Sequence, residues 1–175
     1  MANNAAADLI LIMESIMAGN QALEQAPGAV SYHLDDANES TKIAELLGAE
    51  VAARFGPRDE QPLTIIARDA AGALAGGVNG VSHWRWLYIR HFFITPIWRR
   101  QGLGRRLIEQ AETAAIARGC IGIYLDTFEE SAAAFYERCG FTRCGRIENF
   151  PAGAARIYLS KALPGTLTKQ TAQSP

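Results

Sequence analysis

"WRRQGLGRRLIEQ", residues 98–110, sets two glycines between two pairs of arginines and runs directly into a helical pattern. Leu103, Leu107, Ile108, Ala111, Ala114 and Ala115 recur at helical spacing up to about Arg118, so a helix begins inside the quoted stretch. Upstream, "WLYIRHFFI" (86–94) is apolar and aromatic in the manner of a central strand covered on both sides, and Pro96 separates it from the glycines. Strand, glycine loop and helix N-terminus in this order supply the parts of an anion cradle. These are free backbone N–H groups, the positive end of a helix dipole, and glycines where a Cβ would block approach. Spacing rejects two familiar phosphate loops: no GxxxxGK[ST] occurs, and the third glycine of GxGxxG falls on Leu107.

Working outward, "LTIIARD" and "GALAGGVNGVSHW" predict two strands joined at "DAAG" by a tight turn, with Gly76, Gly77 and Gly80 weakening the second or marking a close approach. Before them, "VSYHL" (30–34) alternates like a strand. The polar "DDANES" then leads into a helix striped by Ile43, Leu46, Leu47 and Val51. On the C-terminal side, "IGIYLDTF" predicts a buried strand and "EESAAAFYERC" a short helix. "GFTRCGRIENF" and "ARIYLSKAL" form a final strand pair. Residues 5–25 carry Leu9, Ile12, Met13, Ile16 and Met17 at helical spacing, and "APG" ends that helix. Its apolar stripe suits packing on its own domain, a dimer contact or a lid. The expected organisation is an N-terminal amphipathic extension over 1–28, one domain over 29–162 and a disordered tail over 163–175.

A chain of 175 residues, 49% hydrophobic and 20% charged, is long enough to bury a substantial core. Seventeen basic residues against 18 acidic ones recommend neither a nucleic-acid tract nor an anionic membrane as partner, so any positive field is local. Cys120, Cys139 and Cys144 are odd in number and lack CxxC spacing, which supports neither a disulfide framework nor a zinc site; no metal is expected. "LILIM" (9–13) is too short to span a bilayer and lacks the features of a signal peptide, so a cytoplasmic protein is expected.

The order strand, "ITP", "IWRRQGLG", amphipathic helix, strand and "FYERCGF" resembles the GCN5-related N-acetyltransferase (GNAT) superfamily. Arg99, Gly102 and Gly104 match its R/Q-x-x-G-x-G/A motif, and "GCIGIYLDTFEESAAAFYERCGF" is similar to bacterial members. The likeness runs from about residue 30 to 162 and is closest over 86–141. It implies an α/β (mixed α+β) fold of the acyl-CoA N-acyltransferase type, a mixed, mostly antiparallel, splayed central sheet flanked by helices.

The resemblance also implies a donor, acetyl-CoA. Its pyrophosphate would sit on the loop formed by Arg99, Arg100, Gln101, Gly102, Leu103 and Gly104, with Arg105 and Arg106 as further contributors. Its pantetheine arm would pair with the backbone of Phe92, Phe93 and Ile94. Tyr136 matches the superfamily tyrosine that protonates the leaving sulfur. A phenol with a reference pKa of about 10 stays protonated beside a thiol of about 8.5. An alkylammonium must also lose a proton, and the residues leave its base open. His91 titrates near neutrality and lies on the strand beside the acyl group. Alternation sets it opposite Arg90 unless a bulge intervenes. Glu129 stands where many members have a cofactor-contacting asparagine, which makes it or Glu130 an alternative base or amine contact. Asp35, Asp36 and Glu39 serve as helix caps or line an acceptor pocket. His33 and the three cysteines read as structural.

The expected activity is transfer of acetyl to a primary amine of a small molecule, an aminoglycoside-like antibiotic among the options, by direct attack in a ternary complex. A protein N-terminus or lysine as acceptor, and a non-catalytic acyl-CoA sensor, are the alternatives, and a homodimer is left open.

Overall fold

The computed structural model describes Val30 and residues 38–164. The expected N-terminal helix, the strand at 30–34 beyond Val30, and the tail from residue 165 lie outside the described residues, as do His33, Asp35 and Asp36. The chain divides into two compact units at Gly56–Pro57. From the first, the structure describes helix α1, Asn38–Phe55, with Glu39 paired to Lys42 at 3.6 Å. Gly56, at φ +82°, follows its end and donates its N–H to the Ala52 carbonyl at 2.9 Å.

The second unit contains β1 (Gln61–Arg68), β2 (Leu74–His83), β3 (Trp86–Ile94), a 3-10 turn (Pro96–Trp98) and α2 (Leu103–Ala117). β4 (Gly122–Thr127), α3 (Glu130–Arg138), β5 (Thr142–Glu148) and β6 (Ala155–Ala162) complete it. The strands form one sheet in the order β1-β2-β3-β4-β6-β5, antiparallel except between β3 and β4. α2 is the crossover that a parallel β3–β4 pair requires. The turn at 69–72 is closed by Asp69, whose Oδ1 accepts the N–H groups of Ala71 and Ala73, both at 2.9 Å.

Alternation along the strands sorts the two faces of the sheet. Leu87 and Ile89, Ile123 and Leu125, and Ile157 and Leu159 are all 3% exposed or less and form one core with Ile108, Ala111 and Ala115 of α2 and Ala133 and Tyr136 of α3. Each such Leu or Ile contributes about 1.5–3 kcal/mol on burial. The intervening Tyr88, Tyr124 and Tyr158 are half-buried. Tyr88 and Tyr124 stack across neighbouring strands, with centroids 4.7 Å apart and planes 10° from parallel. The composition of β3 predicts cover on both faces; within the second unit, both helices lie over the Leu87 and Ile89 face. α2 and α3 pack on the same face, and the other ends in the exposed Arg90 and His91.

Those two residues point the same way because of a bulge. Asn79 pairs with His91 but the next residue, Gly80, pairs with Ile89, so Arg90 is the extra residue. Gly80 is required there: a Cβ on it would lie 2.1 Å from the Tyr88 carbonyl oxygen. After the bulge Phe92 turns back to the helix face and packs on Phe135 and Tyr136.

Candidate active site

The β3–β4 ladder stops at Ile89 opposite Leu125, while β3 stays paired to β2 as far as Ile94 opposite Gly76. Past Ile89, then, β3 has lost its partner on the β4 side. The gap between the two strands is a cleft of about 1080 Å³ that passes from the helix face, at Tyr136, to the opposite face, at Asp126. Phe92, Phe93 and Ile94 form one wall and present a strand edge to it.

At one end the glycine loop makes the cradle that its sequence implies. Arg100 (φ +60°) and Gly102 (φ +82°) are both left-handed, which curls successive amides to one side. Gly102 caps α2 without a side chain, and the first bond within the helix runs from the Arg106 N–H to the Gly102 carbonyl at 3.1 Å. The amides of Leu103, Gly104 and Arg105 precede that bond and are free for an anion at the positive end of the dipole. The two glycines differ in their reasons. A Cβ on Gly102 would meet nothing within 4 Å, so backbone conformation demands glycine there; at Gly104 it would sit 3.2 Å from the Phe135 ring. Gly104 therefore lets α2 approach α3.

The arginines divide as well. Arg99 turns back to donate from Nε to the Ile94 carbonyl at 3.0 Å, closing the end of β3. Arg105 donates to Glu109 at 3.2 Å on the exposed helix surface. Arg99, Arg100 and Arg105 line the cleft, with Arg90 and Arg138. Arg106 does not. Gln101 and Leu103 are not among the lining residues either; Gln101 bonds the Ile97 carbonyl through its side chain.

Tyr136 reaches the cleft from α3, only 7% exposed, with its ring against Phe92, Phe135 and Phe141. Burial, then the neighbouring Cys139 and Asp126, push its phenol up to about 12. The phenol therefore stays protonated well above neutrality. His91 also lines the cleft, and its Nδ1 bonds the Asn79 Oδ1 at 2.9 Å across the bulge. A carbonyl oxygen only accepts, so Nδ1 is the donor in this bond and Nε2 is the ring nitrogen not engaged by Asn79.

The structure does not bring Glu129 or Glu130 into the cleft. Glu129 occupies the N-cap position of α3 and accepts from Ser131 at 3.4 Å. Glu130 is gripped by Arg143 (2.8 Å) and Arg146 (2.6 Å), whose hydrogen bonds hold its carboxyl below the usual range. Both face away because β4 ends at Thr127, and the chain turns off the sheet before α3 begins.

Sequence reasoning passed over Asp126. It lines the cleft, and its side chain is only 11% exposed. Oδ1 accepts from the Tyr88 hydroxyl at 2.9 Å and Oδ2 from Arg156 Nε at 2.8 Å. Arg156 in turn lies over the rings of Phe128, Phe150 and Tyr158 at 5.4–5.6 Å. The available signal was an acid set between Leu125 and Thr127 on an otherwise apolar strand. Among the described residues no cluster of His, Cys, Asp and Glu is arranged to hold a metal ion. Likewise no helix among them is long and apolar enough to cross a membrane.

A glycine cradle, a strand edge and a buried tyrosine converging on a splayed β3–β4 junction agree with one family in particular. The model of the acetyltransferase (GNAT) family matches residues 29–141. The chain belongs to this family. An acetyltransferase of Agrobacterium fabrum strain C58 is 36% identical over 126 residues, covering 72% of this chain and 92% of the relative. The blasticidin-S acetyltransferase of Streptomyces morookaense is 36% identical over 109 residues, 60% of this chain and 80% of that protein. The crystal structure of a proposed acetyltransferase from Agrobacterium tumefaciens superposes with a TM-score of 0.65 at 34% identity, covering 77% of this chain and 98% of the other. This GNAT protein is thus an acetyltransferase with the mixed, splayed sheet expected of it.

Proposed function

We propose that the protein transfers acetyl from acetyl-CoA to a primary amine of a small molecule by direct attack in a ternary complex. The observation that carries this reading is the common cleft of the glycine cradle and the Tyr136 hydroxyl. The free amides of Leu103, Gly104 and Arg105 suit a pyrophosphate, with Arg100 adding charge. The unpaired edge at Phe92–Ile94 suits the amide groups of the pantetheine arm. The blasticidin-S acetyltransferase among its relatives supports a small-molecule acceptor.

The neutral amine attacks the thioester carbonyl carbon, a C–N bond forms and the C–S bond breaks. The departing thiolate takes the proton of Tyr136, whose phenol is the weaker acid and so gives it up only once sulfur carries charge. His91 Nε2 is placed to accept the proton that the amine sheds, directly or through water. The acceptor enters from the Asp126 face while the donor occupies the helix face, so both fit at once.

The test is thiol release from acetyl-CoA with a panel of amines. Sequential kinetics are expected, with Tyr136→Phe losing about 10²–10³-fold in kcat and keeping acetyl-CoA affinity. Parallel double-reciprocal lines would overturn direct transfer. Tight acetyl-CoA binding without turnover of any amine would leave a sensor.

A further inference from the structure

The cleft is positive with one exception. Five arginines line it, and Asp126 is the one carboxylate that does so among the described residues. A protonated amine is repelled from the cradle end, and the one carboxylate it meets among the described residues is Asp126, already paired to Arg156 at 2.8 Å.

The site of that carboxylate is well built. Asp126 directly follows Leu125, the last β4 residue paired to β3, so it stands where the gap opens. It belongs to the face of Tyr88 and Tyr124, opposite α2 and α3. Asp126 is also near enough to Tyr136 to help hold its phenol up. Each carboxylate oxygen accepts two hydrogen bonds in its plane, and here each has received one, from Tyr88 or from Arg156. One acceptor position per oxygen is left.

We infer that Asp126 binds the ammonium group of the acceptor and sets it beside Tyr136, with Tyr88 and Arg156 as positioning residues that fix the carboxylate rotamer. The inference rests on the acetyl-transfer reading. The substrate class is an alkylamine that arrives charged, its body leaving past Phe128. That ring lines both the cleft and an adjoining concavity of about 540 Å³ bounded by Glu130, Arg146 and Glu148.

The experiment uses the full chain and four probes: blasticidin S, nourseothricin, kanamycin and tyramine. With the fastest acceptor, Asp126→Asn is expected to raise the acceptor KM about 10–100-fold, the range of a charge-assisted hydrogen bond, and to leave acetyl-CoA affinity within about twofold. Tyr88→Phe, a milder change that keeps the ring stack, is expected to raise the same KM about 2–5-fold with kcat little altered. An unchanged acceptor KM in Asp126→Asn overturns the assignment. If that variant does not fold, an unchanged KM in Tyr88→Phe does so. Failure of the wild type to acetylate any of the four probes overturns the small-molecule amine reading instead, and the assignment falls with it.

Discussion

The Tyr88 hydroxyl donates to Asp126 Oδ1 at 2.9 Å, from a strand that parts from β4 one residue beyond Tyr88. Burial and this bond raise the Tyr88 phenol above its ordinary value. The pair therefore behaves as a fixed donor and acceptor at the mouth of the cleft, while Tyr136 stands deeper, 7% exposed.

Tyr136 makes the protein sensitive to alkali. Its folded value is about 12 against a reference of 10.0, so the unfolded chain loses this proton first as pH rises. The contribution to stability is complete below about pH 10 and is lost as pH rises through about 12, amounting to about 2–3 kcal/mol. Urea unfolding of the wild type and Tyr136→Phe, compared at pH 8 and pH 11.5, should show the wild type losing about 2 kcal/mol more. Equal losses would mean that the phenol titrates normally.

Gly102 and Gly104 fail differently when substituted. Gly102→Ala forces a Cβ into a left-handed residue and should cost about 1–2 kcal/mol of stability with roughly a tenfold weaker acetyl-CoA Kd. Gly104→Val drives two methyl groups toward Phe135, so α2 and α3 must separate and Tyr136 must shift. Its kcat should fall with its acetyl-CoA affinity. Calorimetric titration beside steady-state rates distinguishes the two patterns.

The arginines of the loop are not interchangeable. Arg100→Ala should weaken acetyl-CoA binding about 3–10-fold at 50 mM salt and much less at 500 mM, since an exposed charge is screened. Arg99→Ala removes the donor to the Ile94 carbonyl and should instead lower stability by about 1 kcal/mol. An Arg99→Ala effect that vanished with salt would contradict its structural role.

Lys161 ties α2 to the end of α3 by binding Glu112 and the Cys139 carbonyl. Both side chains of the pair are about one-fifth exposed, so Lys161→Met strands a carboxylate and a carbonyl and should cost about 2 kcal/mol in urea unfolding. Adding Glu112→Leu should recover part of that loss.

The parts of the site that could be read in advance are those that are contiguous in the chain. The cradle was legible because strand, glycines and helix N-terminus occupy adjacent residues, and local geometry alone creates free amides there. Tyr136 was legible through "AFYERCGF" and its family likeness. His91 was only half legible, since one bulged residue at Arg90 reverses the alternation on which facing depends, and the bulge follows from pairing with Gly80. Glu129 and Glu130 carried the right chemistry into the wrong place, because the chain leaves the sheet after Thr127 and Glu130 bonds Arg143 and Arg146 outside the cleft.

The sequence by itself determined the family, the six described strands and the glycine turn at the start of α2, because each depends on periodicity or spacing within a few tens of residues. Only the tertiary structure decided the surroundings of Asp126. Tyr88, Asp126 and Arg156 come from three strands that lie apart in the chain, and they meet because β4 pairs with β3 on one side and β6 on the other. No local pattern encodes that meeting. It is set by sheet order and by the point at which the β3–β4 ladder gives way.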